Sequence, residues 1–354
     1  MNGVTRAARG AGLRAVVLAL VCSVVLVACS RAELFHQEAY VFGTRVDLTI
    51  YGNSQQQAEQ AMAAVLQEFD RLHHALHAWQ PSELTELNDG LRRGETVQVS
   101  EELAFLLTGA QTIAETGEGL FDPALGELIA LWGFHDDEFE PKLPDPTELA
   151  AILAAAPSMA DVEIDGTQVS SSNPNVQIDL GGYAKGYALD RAVTLLRGLG
   201  VENALINIGG NVMALGAKGD TPWRIGIQDP RAPAPLVTLP LYDGEAIGTS
   251  GDYQRFFEIE GKRYSHLLDP RSGYPAEGTQ SLTVLVTPRE NAGTWSDAAS
   301  KAPFIAGDEW FKYVQRYDIA HALRVDDENR IEITRELRAR VQVPSGTGPL
   351  EVVN

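Results

Sequence analysis

Apolar residues recur along this chain at two spacings, and the change from one to the other falls near residue 200. Between residues 55 and 76, Ala58, Ala61, Met62, Val65, Leu66, Phe69, Leu72 and Leu76 recur at three- and four-residue intervals, which predicts an amphipathic helix. Further helices are expected over 100–116 and over 146–156, the second opened by Pro146. Ahead of them, residues 39–51 alternate as a strand bent at Gly43. Asp122-Pro123 has the form of an N-cap followed by proline at the first helical position. Val162–Asp165 and residues 168–170 read as a hairpin around Asp165-Gly166. Past residue 200 short alternating runs dominate: 204–216 with a break at Gly209-Gly210, then 223–227, 237–241, 246–250, 256–259 and 281–286. Residues 296–305 form a short helical pattern interrupted at Pro303. There is no internal repeat and no linker clearly splits the chain, but helices before residue 200 and a β-rich second half after it suggest an α+β fold with two subdomains.

One stretch stands apart from this alternation. Ile178-Asp-Leu-Gly-Gly-Tyr-Ala-Lys-Gly-Tyr-Ala-Leu-Asp190 begins as a short strand with Val176, passes through Gly181-Gly182 and turns helical by Gly186. Such a junction brings backbone close to a ligand and offers the unpaired N–H groups of a new helix. With Asp179 before the glycines and Lys185 after them, it suits either a phosphorylated ligand, with or without a metal, or an ordinary β–α turn with a solvated lysine. It matches neither the dinucleotide pattern G-x-G-x-x-G nor the P-loop.

The chain has 354 residues, 44% of them hydrophobic and 7% aromatic, enough for one large domain or two ordinary ones. At the start, Arg6, Arg9 and Arg14 precede an apolar run over 15–27 that ends in Leu26-Val27-Ala28-Cys29. This resembles a bacterial lipoprotein signal. It implies a cleaved segment 1–28, an acylated Cys29 anchored in the lipid bilayer, a tether over 29–38, and a chain facing the periplasm. Ser30 leans the expectation toward the outer membrane. Cys22 falls in the cleaved segment and Cys29 carries lipid, so no disulfide forms within the mature chain. Losing residues 1–28 takes the formal charge from −20 to −23, since three arginines and no acids are lost. Nucleic acid and anionic lipid headgroups would be repelled, which leaves acyl chains as the membrane attachment.

The candidate chemistry narrows by residue type. Thr249-Ser250-Gly251 lacks the first glycine of a serine-hydrolase elbow, and Cys29 is used by lipid. His73, His74 and His77 lie at helical spacing near a helix end without acidic or cysteine partners, and read as a solvated surface. Arg263-Tyr-Ser-His-Leu-Leu-Asp-Pro-Arg-Ser-Gly-Tyr-Pro275 is dense in polar groups. An oxygen-ligated metal, a phosphate-handling lysine and a histidine base together suit phosphoryl or nucleotidyl transfer.

Several motifs then resemble the ApbE family of FAD:protein FMN transferases, over residues 38–315. They are Phe42-Gly-Thr44, Ser82-Glu-Leu-x-x-Leu-Asn88, Phe121-Asp-Pro with Leu131-Trp-Gly-Phe134, and the 178–190 stretch. Asn207-Ile-Gly-Gly-Asn211, Thr249-Ser-Gly-Asp-Tyr253 and Tyr264-Ser-His-x-x-Asp-Pro-Arg-x-Gly273 complete the set. The resemblance implies an ApbE-like, T-fold-related domain over 39–340, a tail over 341–354, and an FAD cleft between two subdomains. It implies that FAD is the substrate, with FMN passed to a threonine or serine of an acceptor flavoprotein and AMP released, assisted by magnesium. His266 would be the base. Phe42, Trp79, Leu120, Phe121, Asp122, Asp179, Lys185 and Leu268 would contact FAD, while Gly182 and Asp297 would hold the metal.

Three positions depart from the family pattern. Phe42 stands for methionine and Trp79 for the usual tyrosine, both able to pack on a flavin ring. Lys301, in Asp297-Ala-Ala-Ser-Lys301, stands where a threonine hydroxyl would join the metal. Either Lys301 points away or Ser300 substitutes and the enzyme keeps its metal, or Lys301 neutralises Asp297 across one helical turn. The same residues would also serve an FAD-binding lipoprotein without transferase activity, or a metal-dependent FAD pyrophosphatase.

Overall fold

The computed structural model describes residues 33–136 and 140–354. Residues 1–28 and Cys29, expected to be signal and lipid anchor, lie outside the described residues. Among the described residues, no helix is long and apolar enough to cross a membrane.

Nine strands form the main sheet. In spatial order they are Leu34–Val41, Thr44–Tyr51, Ala204–Ile208, Asn211–Leu215, Ala246–Gly251, Thr279–Val286, His321–Asp326, Ile331–Thr334 and Leu350–Val353. Neighbours are antiparallel except for the last pair. Thr44–Tyr51 pairs directly with Ala204–Ile208, so the helical segment between them is an insertion into one sheet. Alternation buries one face of the strands (Val46, Leu48, Ile50, Ile206, Ile208) against helices that include Gln55–Ala75 and Ala184–Gly198. The other face (Ala214, Ile247, Leu323, Ile333) packs with Trp223–Gln228 and Pro235–Leu241. Thr279–Val286 is buried along its whole length, as a central strand covered on both faces should be. A third, aromatic cluster joins Trp132, Phe134, Phe257 and Leu268 at one side.

Several elements differ from the sequence reading. Residues 39–51 are not one bent strand. The chain folds back at Phe42 (φ 57°) and Gly43 (φ 65°), the two positive values that a tight two-residue hairpin needs. The first strand therefore begins at Leu34, inside the stretch expected as tether, and Leu350–Val353 brings the expected tail into the sheet edge. Val176 and Ile178 do not form a strand; only Gln177 makes a bridge, to Leu125. In place of a neighbouring strand, the buried amide of Asn88 accepts from Ile178 N at 2.8 Å and donates to Ile178 O at 2.9 Å. Asp122 does not open a helix. Its carboxylate takes the N–H of Ala124 and of Met159 and the Ser158 hydroxyl, and the helix begins later, at Gly126. The 296–305 pattern breaks at Ala299-Ser300 rather than at Pro303, giving helices Ala292–Ala298 and Lys301–Ile305. Pro303 sits in the first turn of the second, where no intrahelical partner awaits its missing N–H.

Candidate functional site

The helix Ala184–Gly198 starts just past Gly181-Gly182 and packs against Ala292–Ala298. The two helices meet through glycine. A Cβ on Gly186 would lie 2.7 Å from that of Asp297, a distance that no side chain tolerates. The approach lets Gly186 N–H donate to Asp297 Oδ2 at 2.9 Å. Reciprocally, Asp190 accepts from the N–H of Gly293 and of Thr294, each at 2.8 Å, and from the Thr294 hydroxyl at 2.7 Å. Asn291 makes no side-chain cap, so Asp190 satisfies the donors that open the neighbouring helix.

These helix ends form one wall of a cleft of about 860 Å³. Among the described residues, every one expected at the site lines it: Phe42, Trp79, Leu120, Phe121, Asp122, Asp179, Gly182, Lys185, His266, Leu268, Asp297 and Lys301. Trp79 donates through Nε1 to Asp179 Oδ2 at 3.0 Å, while Asp179 Oδ1 takes Gly181 N–H at 2.7 Å. One carboxylate thus holds the indole and the glycine turn together. The Trp79 loop is fixed from below by His77, whose Nδ1 accepts from Trp79 N and Gln80 N, both at 3.1 Å. Of the three histidines read as solvated surface, only His74 is exposed; His73 and His77 are half-buried and line the cleft. Lys185 Nζ donates to Gly181 O at 2.8 Å. Asp122 keeps both its oxygens on Ser158 and nearby backbone, and burial raises its pKa above the ordinary carboxylate value.

His266 faces the cleft partly exposed. Its Nδ1 lies 3.2 Å from the carbonyl oxygen of Arg255, which can only accept, so Nδ1 carries the proton and Nε2 keeps a lone pair. Burial first, then the positive charges of Arg255, Lys185 and Lys301, lower the imidazole pKa to about 3. The neutral form is therefore the resting one near pH 7.

Lys301 does not point away from Asp297. Its Nζ lies 2.7 Å from Asp297 Oδ1 and 2.7 Å from the Asp297 backbone oxygen, with both side chains buried. Burial lowers the lysine pKa, opposed by the Asp297 charge. Burial raises that of Asp297, but the Lys301 and Lys185 charges and the Gly186 N–H outweigh it and hold the carboxyl below its usual range. Ser300 does not substitute for the missing threonine, because its hydroxyl is engaged by Asp297 O and by Ser250, each at 2.7 Å. Magnesium requires a closely spaced set of oxygen ligands at about 2.1 Å. Here Asp297 has given one carboxylate oxygen to an ammonium and the other to a backbone N–H. The cradle expected from Gly182 and Asp297 does not fit a divalent cation as it stands.

The sequence reading gave no role to Arg255, Asn88 or Asp190. Asn88 and Asp190 sat inside quoted motifs, and a buried amide or carboxylate without a local backbone partner is the signal that could have singled them out. The carbonyl of Arg255 left no such signal.

The ApbE family model matches residues 42–323. A protein named FAD:protein FMN transferase from Rhodobacter capsulatus is 41% identical over 314 residues, covering 88% of this chain and 59% of its own length. This chain therefore spans less than two thirds of that relative. Another so named, from Klebsiella pneumoniae, is 33% identical over 270 residues, 75% of this chain and 81% of its own. The solved ApbE protein of Thermotoga maritima superposes with a TM-score of 0.79 at 34% identity, covering 87% of this chain and 99% of its own. A shared fold, a match running through most of the sheet and a cleft assembled from the motif residues lead to one conclusion: the chain belongs to the ApbE family.

Proposed function

We propose that this chain is an FAD:protein FMN transferase. FAD is its substrate, FMN is attached through a phosphoester to a threonine or serine of an acceptor flavoprotein, and AMP leaves. The observation that carries the reading is the neutral imidazole of His266 in one cleft with Lys185, Lys301 and the Trp79–Asp179 pair. Trp79, held by Asp179, offers an aromatic face for the isoalloxazine ring. Lys185 and Lys301 set positive charge where the diphosphate gains negative charge. The acceptor hydroxyl gives its proton to His266 Nε2 as its oxygen attacks the FMN-side phosphorus. A new P–O bond forms, the pyrophosphate P–O bond breaks, and its electron pair departs on AMP. His266 then returns the proton to water. No step draws on magnesium, because Lys301 already holds Asp297.

The location follows from the sequence around Cys29. The support is the Leu26-Val27-Ala28-Cys29 pattern, from which we infer an acylated chain at a bacterial membrane facing the periplasm, the outer membrane favoured by Ser30.

The test is to incubate the full-length chain in detergent with FAD and an acceptor peptide carrying threonine. The expected result is a threonine that gains the mass of an FMN phosphoester, with matching AMP. AMP and free FMN without modified threonine would make the chain a pyrophosphatase, and FAD retained without AMP would make it a binding protein. Either outcome overturns the proposal.

A further inference from the structure

We propose that Lys301 is the resident cation of this site, its ammonium standing where related cradles would hold a divalent ion, so that FAD cleavage by this chain needs no metal at Asp297. The inference rests on the transferase reading for its chemistry, but on the cradle alone for its geometry. Three observations carry it.

The first is occupancy. Asp297 presents two oxygens to this point, Oδ1 and the backbone carbonyl, and Lys301 Nζ lies 2.7 Å from each. A metal bonded to the same oxygens would sit within bonding reach of a buried ammonium, two cations with little water between them.

The second is that the lysine is built in rather than folded over. Its stem crosses the open face of Gly182, where a Cβ would come 2.8 Å from Lys301 Cε and 2.9 Å from the Phe121 ring. Only glycine leaves room for that path. The remaining Asp297 oxygen is locked by Gly186 N–H, so the carboxylate cannot swing to offer both oxygens to an ion.

The third is donor count. An ammonium has three N–H groups. Asp297 takes two, which leaves one on a side chain that lines the cleft. That donor, beside Lys185, offers a diphosphate positive charge at the metal's place: one monovalent ammonium where a related cradle would hold one divalent ion, so the site carries one positive charge fewer. Lys301 keeps its proton throughout, so the transfer remains balanced as written, with the acceptor proton going to His266 and the electron pair to AMP.

Two measurements on full-length protein in detergent test this. The first follows Mn2+ as a magnesium surrogate by electron paramagnetic resonance in the presence of FAD. Wild type should bind no more Mn2+ than Asp297→Asn does, any remainder belonging to FAD itself or to His36, Glu38 and Asp47, and Lys301→Thr should bind it about tenfold or more tightly than wild type. The second compares FMN transfer with and without EDTA. Wild type should change by less than about twofold, whereas Lys301→Thr should lose activity by about tenfold and recover it with magnesium. Wild-type Mn2+ binding that disappears in Asp297→Asn, or wild-type transfer abolished by EDTA, would overturn the inference while leaving the transferase reading intact. If wild type transfers no FMN under either condition, the transferase reading fails. The Mn2+ experiment then decides alone: a site gained in Lys301→Thr supports Lys301 as the cation, and none gained in a variant that still binds FAD overturns it.

Discussion

The imidazole of His266 has its Nδ1–H on the Arg255 carbonyl and lies among three cations, and both facts bear on when it can act as a base. The unfolded histidine titrates near 6.5. The folded one titrates at about 3, so between these values the folded chain binds fewer protons than the unfolded one. His266 therefore withdraws stability as pH falls through that window, and contributes no pH dependence above it. The same depression keeps Nε2 free in the unliganded enzyme. We expect kcat/KM for FAD, which reports free-enzyme ionisations, to show no acid limb near pH 6.5 and to hold flat toward pH 5. A bound diphosphate brings negative charge next to the ring and opposes the depression, so the acid limb in kcat should lie at higher pH than that in kcat/KM. A pH–rate series on wild type checks both. A kcat/KM limb at 6.5 that vanishes in His266→Gln would show that neither burial nor the cations depress this ring.

At the scale of elements, two helices exchange carboxylates: Asp297 caps Gly186, and Asp190 caps Gly293 and Thr294. Removing Asp190 leaves two buried N–H groups and a hydroxyl unpaired, at about 1–3 kcal/mol for each group that water cannot reach. Asp190→Ala should lower the unfolding free energy by about 3 kcal/mol, read by denaturant titration, and should weaken FMN transfer because the Asp297 helix loses its anchor. Unchanged stability would mean that water replaces the carboxylate. The helices themselves were legible in the sequence, since the 3.6-residue period at Ala58–Leu72 and the glycine junction at 181–182 are local signals. The hairpin at Phe42-Gly43 was not, because phenylalanine rarely takes a positive φ and the alternation runs through it almost unbroken. Nor was the missing strand at Val176–Ile178, where the backbone of residues 123–126 bonds Gln177 and Asp179 and the side chain of Asn88, distant in sequence, takes Ile178. Many of the residues that line the cleft lay in motifs the sequence displays. Their pairings, Trp79 with Asp179 and Asp190 with Thr294, depend on contacts across about a hundred residues that no periodicity encodes.

For the molecule as a whole, the formal charge of −20 sets an anionic body around a cleft whose cations, Lys185, Lys301 and Arg255, lie beside Asp179, Asp297 and Asp136. FAD is itself an anion, so its approach is governed by two opposing fields of different range. Repulsion from the body is summed over charges spread across the surface. It is felt where the Debye length is about 30 Å, near 0.01 M salt, and is largely screened at about 8 Å, near 0.15 M. Contacts with Lys185 and Lys301 are made at hydrogen-bond distance within the cleft, where salt screens far less. Lys301 adds little to the long-range field, because Asp297 neutralises it at 2.7 Å. Raising salt across this range should therefore remove more repulsion than attraction, and KM for FAD should fall while kcat stays nearly constant. A Lys185→Gln variant should have a higher KM at every salt concentration yet keep the same downward trend, since it loses a contact and not the body's charge. If KM for wild type instead rises with salt, and the rise is lost in Lys185→Gln, the local cations steer FAD in, and the acidity of the body does not reach the cleft mouth.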